Sequence, residues 1–373
     1  MSNTQKTTLF SAIKIGNTTL ENRVGLAPMT RTSATEFGLV TEEMAQYYAN
    51  FARGGFGLVM TEGTYTDENY SQGYLNQPGI ATAEQTDSWK KVVTAVHEEG
   101  ARIMMQLMHA GALSQGNRFN SNTKGPSSVK PKGEQLAFYG GQGDFQTPEE
   151  LTQIEIDELI QSFAVSAKNA KEAGFDGVEI HGANGYVLDQ FLTDYTNQRA
   201  DQYGGSVENR IRLALEVIKA VREEVGNEFP VGIRISQAKV NDADHKWSGG
   251  EAEAAEIFTA LQESGIDFIH IAEPQAAAPA FGETGPTLVK LAKEHGKSVV
   301  IANGTLGDPA SAESLLNEEG ADIVTIGKAA LANQDWANRA AEDQELNAFD
   351  FQKYLLPKAT LKDFEYKALK VKN

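Results

Sequence analysis

The chain has 373 residues, 40% of them hydrophobic, and a formal net charge of −18. This suits a globular protein with a full core and argues against nucleic acid or an anionic membrane as main partner. The absence of cysteine excludes disulfides, thiolate zinc sites, iron–sulfur clusters and cysteine nucleophiles.

Residues 10–20 alternate apolar and polar side chains around Gly16-Asn17, the pattern of a short β-hairpin. Apolar runs then alternate with amphipathic segments. The spacing predicts strands over 24–30, 57–63, 101–107, 177–180, 230–236, 266–272, 298–302 and 321–326. Helices are predicted over 41–53, 82–99, 152–173, 207–225, 250–264, 288–295 and 309–317, with a last one from about Asp335. Residues 109–148, rich in Gly, Ser, Asn and Lys, interrupt this rhythm after the third strand. The strands are rich in Val and Ile without polar alternation, as in a parallel sheet covered on both faces. Eight such units predict a (β/α)8 TIM barrel in one domain spanning 1–373. The long segment is then an excursion over the barrel mouth, because a structureless linker of that length is unusual. An open doubly wound sheet is the competing fold, but no Gly-x-Gly-x-x-Gly follows the first strand.

In such a barrel, ligands bind where the strands end at their C-termini. The groups falling there are Pro28-Met29-Thr30, Glu62-Gly63, Gln106, His181, Arg234, Asn303-Gly304-Thr305 and Gly327-Lys328. Beyond the fourth strand, His181 and Asn184 can aim two donors at one oxygen, with the Tyr186 phenol nearby as an acid. The plain alternative is a capping histidine and a core tyrosine. Gly304, Gly327 and Lys328 follow the last two strands, where barrels often bind phosphate; glycines that merely end strands are the alternative. Arg234, inside an apolar strand, needs an anion or a carboxylate partner. No histidine pair has metal-ligand spacing, so no metal is expected. His97, His245 and His295 read as structural or surface positions, and His109 and His270 as positions near strand ends.

The motifs Ala27-Pro28-Met29-Thr30, Gln106, His181-Gly182-Ala183-Asn184-Gly185-Tyr186, Gln190-Phe191-Leu192, Asn197-Gln198-Arg199, Asp201-Gln202-Tyr203-Gly204-Gly205-Ser206 and Glu208-Asn209-Arg210 together resemble the old yellow enzyme family of flavin ene-reductases. The resemblance covers residues 9–339; the tail, 340–373, carries no usable motif. It implies non-covalent FMN at the barrel mouth, reduced by NAD(P)H. Pro28, Met29, Thr30, Gly63 and Gln106 would meet the ring system, with Arg234 beside its N1 edge, and Gly304, Gly327 and Lys328 would hold the phosphate. His181 and Asn184 would hold the oxygen of an α,β-unsaturated carbonyl or nitro compound, and Tyr186 would protonate it. Tyr74 and Met108 are expected in the substrate pocket. Many relatives carry arginine where Lys328 stands and an aromatic residue where Met108 stands. The first lacks the bidentate fork and the second is more pliable.

Three rival readings remain at this stage. One is an FMN barrel dehydrogenase that oxidises its substrate, as dihydroorotate or amine dehydrogenases do. The others are a flavin-free aldolase or isomerase acting on a sugar phosphate, and a non-catalytic binding barrel. The polar segment 1–8 lacks an apolar signal core and no run approaches membrane-spanning length, so a cytoplasmic location is expected.

Overall fold

The computed structural model of the protein describes residues 7–369. Eight parallel strands close into a barrel: β1 Val24–Leu26, β2 Leu58–Met60, β3 Arg102–Met108, β4 Gly177–Asn184, β5 Val231–Lys239, β6 Phe268–Ala272, β7 Val299–Asn303 and β8 Ile323–Ile326. Closure is explicit in the register. Leu26 of β1 lies opposite Ile326 of β8, and Leu26 pairs with Val59 on its other side. The eight predicted strands and their order are all present.

Helices pack around the barrel: α1 Glu42–Arg53, α2 Ala83–Glu98, α3 Gln153–Ala173, α4 Val207–Val225, α5 Gly250–Glu263, α6 Leu288–Glu294, α7 Pro309–Glu318 and α8 Trp336–Ala341. Their starts are encoded locally. Thr82 and Thr152 each form a reciprocal capping box, with Gln85 and Glu155 respectively. Thr41, Ser206, Thr287 and Asp308 cap four others. These side chains accept from N–H groups that lack a partner within the helix.

The hairpin Ile13–Ile15 and Thr18–Leu20 closes the lower end of the barrel. Ile15 and Leu20 are buried against Leu58, Met60, Met104, Phe268, Ile301 and Ile323. The opposite end carries the loops. The excursion after β3 contains a short parallel pairing of Lys124–Gly125 with Glu149–Glu150, and it reaches the mouth, where Tyr139 donates to the Thr30 carbonyl at 3.2 Å.

Two features differ from the sequence expectation. Strand β4 continues four residues further, to Asn184, so His181 and Asn184 stand on the strand extension rather than in a turn. The cause is a register shift in β5 between Ile235 and Lys239, which lets Lys239 pair with Asn184; such irregularities often re-aim side chains beside sites. The tail also has a structural role. Glu365 forms a two-pronged ion pair with Arg31, 2.6 Å on each side, both side chains being almost fully buried. Arg31 Nε also donates to the Ala359 carbonyl, and Asn50 donates to the carbonyls of Glu365 and Lys367. Arg31 directly follows Thr30, so the tail braces one wall of the mouth. Removing one partner of a buried pair leaves an uncompensated charge, so Glu365→Ala is expected to cost about 3–5 kcal/mol, read as a lowered urea midpoint.

Candidate active site

A solvent-open cleft with about 750 Å³ of space free of protein atoms lies at the C-terminal ends of the strands. Its walls include Pro28, Met29 and Thr30 after β1, Gln106 on β3, His181 and Asn184 on β4, Tyr186, Arg234 on β5, and Lys328. Residues from five different strand ends therefore meet in it. A second hollow continues from Pro28, Met29 and Lys328 past Gly304, Gly327 and Asn303.

The cleft carries two chemically distinct sets of groups. In the first, His181 is buried, and its Nδ1 accepts the Ala183 N–H at 3.4 Å. This assigns the proton to Nε2, which becomes a donor. Burial, then Arg234 and His270, hold the His181 pKa well below the ordinary value, so the ring is neutral at pH 7. Asn184 adopts a left-handed backbone, φ 62°, a conformation asparagine tolerates better than most residues. Ser236 accepts its N–H at 2.8 Å and Val240 donates to its carbonyl. The backbone is thus pinned while the amide lines the cleft. Tyr186 packs edge-on to His181, with ring centroids 4.9 Å apart. Its hydroxyl lies 2.6 Å from that of Tyr74. Burial raises its pKa to about 12, against the opposing pull of Tyr74 and Arg234.

In the second set, Arg234 stands opposite His181 on the paired strand and is 5% exposed. One Nη donates to Asn303 Oδ1 at 2.9 Å, but its Nε is buried without a partner. An unpaired cationic donor facing a cleft calls for an anionic or acceptor-rich ligand. Gln106 places its Nε2 on Glu179 at 2.7 Å, leaving its carbonyl oxygen for the cleft. Lys328 is exposed at the first turn of the short helix Lys328–Ala332 and has no acidic partner among the described residues. A Cβ on Gly327 would meet nothing nearer than 3.8 Å, so the space beside its backbone is open. Gly304 is different. A Cβ there would lie 2.1 Å from the Glu273 carbonyl, so close packing of the neighbouring loop already demands glycine.

Three expected site residues are placed differently. Tyr74 and Met108, 2% and 1% exposed, do not line the cleft; they lie behind Tyr186 in a small core with Leu113 and Phe145. Tyr74 is held there by its bond to Tyr186 and by packing on Tyr139, and the Met108 sulfur is met by the Gln77 amide at 3.5 Å. Gly63 is buried beside Met108, and the Gln77 amide donates to its carbonyl at 2.7 Å. Cleft residues that carried no signal in the sequence are Arg31, Tyr139, Val240, Leu331 and Leu355. Tyr139 belongs to the irregular excursion and Leu355 to the tail, both of which lack periodicity. His97 pairs with Asp176 at 2.7 Å, beyond its expected helix-end role.

The profile of the NADH:flavin oxidoreductase / NADH oxidase family matches residues 8–347. The structure superposes on an old yellow enzyme homologue from Zymomonas mobilis with a TM-score of 0.86 and 30% identity, covering 96% of this chain and 98% of that one. The chain belongs to the old yellow enzyme family.

Other similarities agree with that membership. Morphinone reductase in complex with tetrahydroNAD superposes with a TM-score of 0.82 at 32% identity, over 95% of this chain and 98% of the other. The 12-oxophytodienoate reductase 2 of Arabidopsis thaliana is 35% identical over 93% of this chain and 91% of its own length. The NADH oxidase of Thermoanaerobacter brockii is 35% identical over 90% of this chain, which spans 51% of that protein. Old yellow enzymes are flavin proteins, with FMN as cofactor and a nicotinamide as reductant. The donor set fits FMN: a buried guanidinium whose Nε lacks a partner and an amide oxygen left free for a polar ring edge, with a lysine and an open glycine for a phosphate. No helix among the described residues is long and apolar enough to cross a membrane.

Proposed function

We propose that this old yellow enzyme reduces the activated C=C bond of α,β-unsaturated carbonyl or nitro compounds at the expense of NAD(P)H. The observation that carries this reading is the meeting of a neutral His181 Nε2–H, the Asn184 amide and a protonated Tyr186 in the cleft. Two donors lining one cleft can polarise a single bound oxygen, and the electron deficit passes through conjugation to the β-carbon. FMN, when bound, supplies the hydride for that carbon. Tyr186 delivers a proton to the α-carbon, and the donors at His181 and Asn184 hold the oxygen while its charge is transient. Pro28, Met29 and Thr30 would support the ring system, Gln106 and Arg234 its polar edge, and Lys328 with the backbone at Gly304 and Gly327 the phosphate. The names of two relatives, a 12-oxophytodienoate reductase and a morphinone reductase, are consistent with an enone substrate.

The test is direct. The purified protein is expected to be yellow, to bleach anaerobically on addition of NADH or NADPH, and to consume the nicotinamide steadily when 2-cyclohexenone or a nitroalkene is added. Absent flavin absorbance favours a flavin-free barrel. Bleaching without enone-dependent turnover favours a dehydrogenase working in the opposite direction.

Lys328 supplies charge without a bidentate fork. Lys328→Ala is expected to weaken FMN binding about tenfold, and Lys328→Arg to tighten it, by fluorescence titration of the FMN-free protein.

A further inference from the structure

Beneath the cleft, polar side chains meet inside the barrel. Glu179 of β4 is fully buried, and both carboxylate oxygens are occupied. Oε1 accepts from Gln106 Nε2 at 2.7 Å, and Oε2 lies 2.6 Å from His270 Nδ1. The other ring nitrogen of His270 is 2.9 Å from Thr325 Oγ1, which has the Ala302 carbonyl at 3.4 Å as a further acceptor. The register explains the meeting: Gln106 stands opposite Glu179, while Arg234 stands opposite both His181 and His270. The layer below is apolar, made of Leu58, Met60, Met104, Phe268, Ile301 and Ile323.

A carboxylate in such a place is costly to desolvate, and an aliphatic side chain would fill the volume more cheaply. Its arrangement has two consequences for the cleft above. First, an amide has a donor and an acceptor end, and Glu179 takes the donor end of Gln106. The acceptor end therefore faces outward, so the site selects a ligand edge that presents an N–H there. Second, Glu179 opposes the charge of Arg234; burial acts to lower the pKa of that guanidinium and Glu179 acts to raise it. The charged and titratable groups around the carboxylate are Arg234 from β5, His270 from β6 and His181 two residues along β4.

We infer that Glu179 is a positioning residue for the cofactor-binding groups of the cleft, fixing the orientation of Gln106 and offsetting the charge of Arg234. This rests on the FMN reading above. The negative charge accumulated on reducing FMN is stabilised by Arg234 and opposed by Glu179, so the carboxylate holds the potential down.

The experiment is potentiometry on the FMN-loaded protein. Glu179→Gln removes the charge and keeps the shape, and its two-electron equilibrium is expected to shift toward reduction about tenfold, a rise of about 30 mV. A potential equal to that of the wild type, with FMN bound, overturns the charge role. Glu179→Asp keeps the charge but withdraws it from Gln106, and is expected to weaken FMN binding about tenfold at an unchanged potential. Equal FMN affinity in Glu179→Asp and wild type overturns the orienting role, and this variant serves if the glutamine form does not fold. A wild-type protein that takes up no FMN overturns the functional reading instead, before any variant is compared.

Discussion

Tyr186→Phe is expected to slow enone reduction by about 10²–10⁴-fold, the usual worth of a positioned general acid. The Tyr186 phenol lines the cleft beside His181, and burial keeps it protonated far above neutrality. Loss of its proton leaves a phenolate that Tyr74, 2.6 Å away, can steady by donating its own hydrogen. The phenylalanine variant retains the ring, so packing against His181 persists and the protein folds. Nitroalkenes discriminate the role. Their reduced nitronate is stable enough to await a proton from solvent, so their turnover is expected to stay near wild type. Comparing an enone with a nitroalkene in one steady-state assay separates proton delivery from substrate binding; unchanged enone turnover removes Tyr186 from the mechanism. The same chemistry sets the pH profile. His181 is held neutral well below pH 6.5, and Tyr186 ionises only near pH 12. Enone turnover is therefore expected to be flat through neutral and mildly alkaline pH.

His181→Ala is expected to slow alkene reduction by about 10²–10³-fold, as loss of one oxyanion donor does elsewhere. Nε2–H is preorganised, because the Ala183 N–H fixes the tautomer and the ring is wedged against Tyr186. The His181 ring is buried, where a donor's effect is greater than in bulk solvent. Bleaching of the flavin by the nicotinamide is expected to be far less affected. Stopped-flow measurement of the two half-reactions checks this, and equal slowing of both would count against the assignment.

The barrel was legible because the units repeat one signal: an apolar run, then in six of the eight helices a Thr, Ser or Asp cap, then an apolar stripe. The site was legible where side chains fall at strand ends, as with Gln106, Arg234 and His181. It was illegible where partners come together only through closure. Nothing local marks Glu179 as the partner of His270, 91 residues away. Nothing in the tail announces that Glu365 would reach Arg31, 334 residues earlier. Tyr74 and Met108 were misplaced for a related reason. The family resemblance put them in the pocket, but the Tyr74–Tyr186 bond and the Gln77 amide hold them in the wall behind it. The length of β4 was underestimated because its final residues pair with a bulged stretch of β5, and a bulge leaves little trace in hydrophobic pattern.

The hairpin that stoppers the barrel floor has a kinetic corollary. With Ile15 and Leu20 sealing the lower end and side chains filling the interior, the proposed function puts the nicotinamide and the alkene in the same cleft at the strand ends. Each must vacate it before the other enters, so initial-rate plots against one reactant at fixed levels of the other should run parallel, the signature of double displacement.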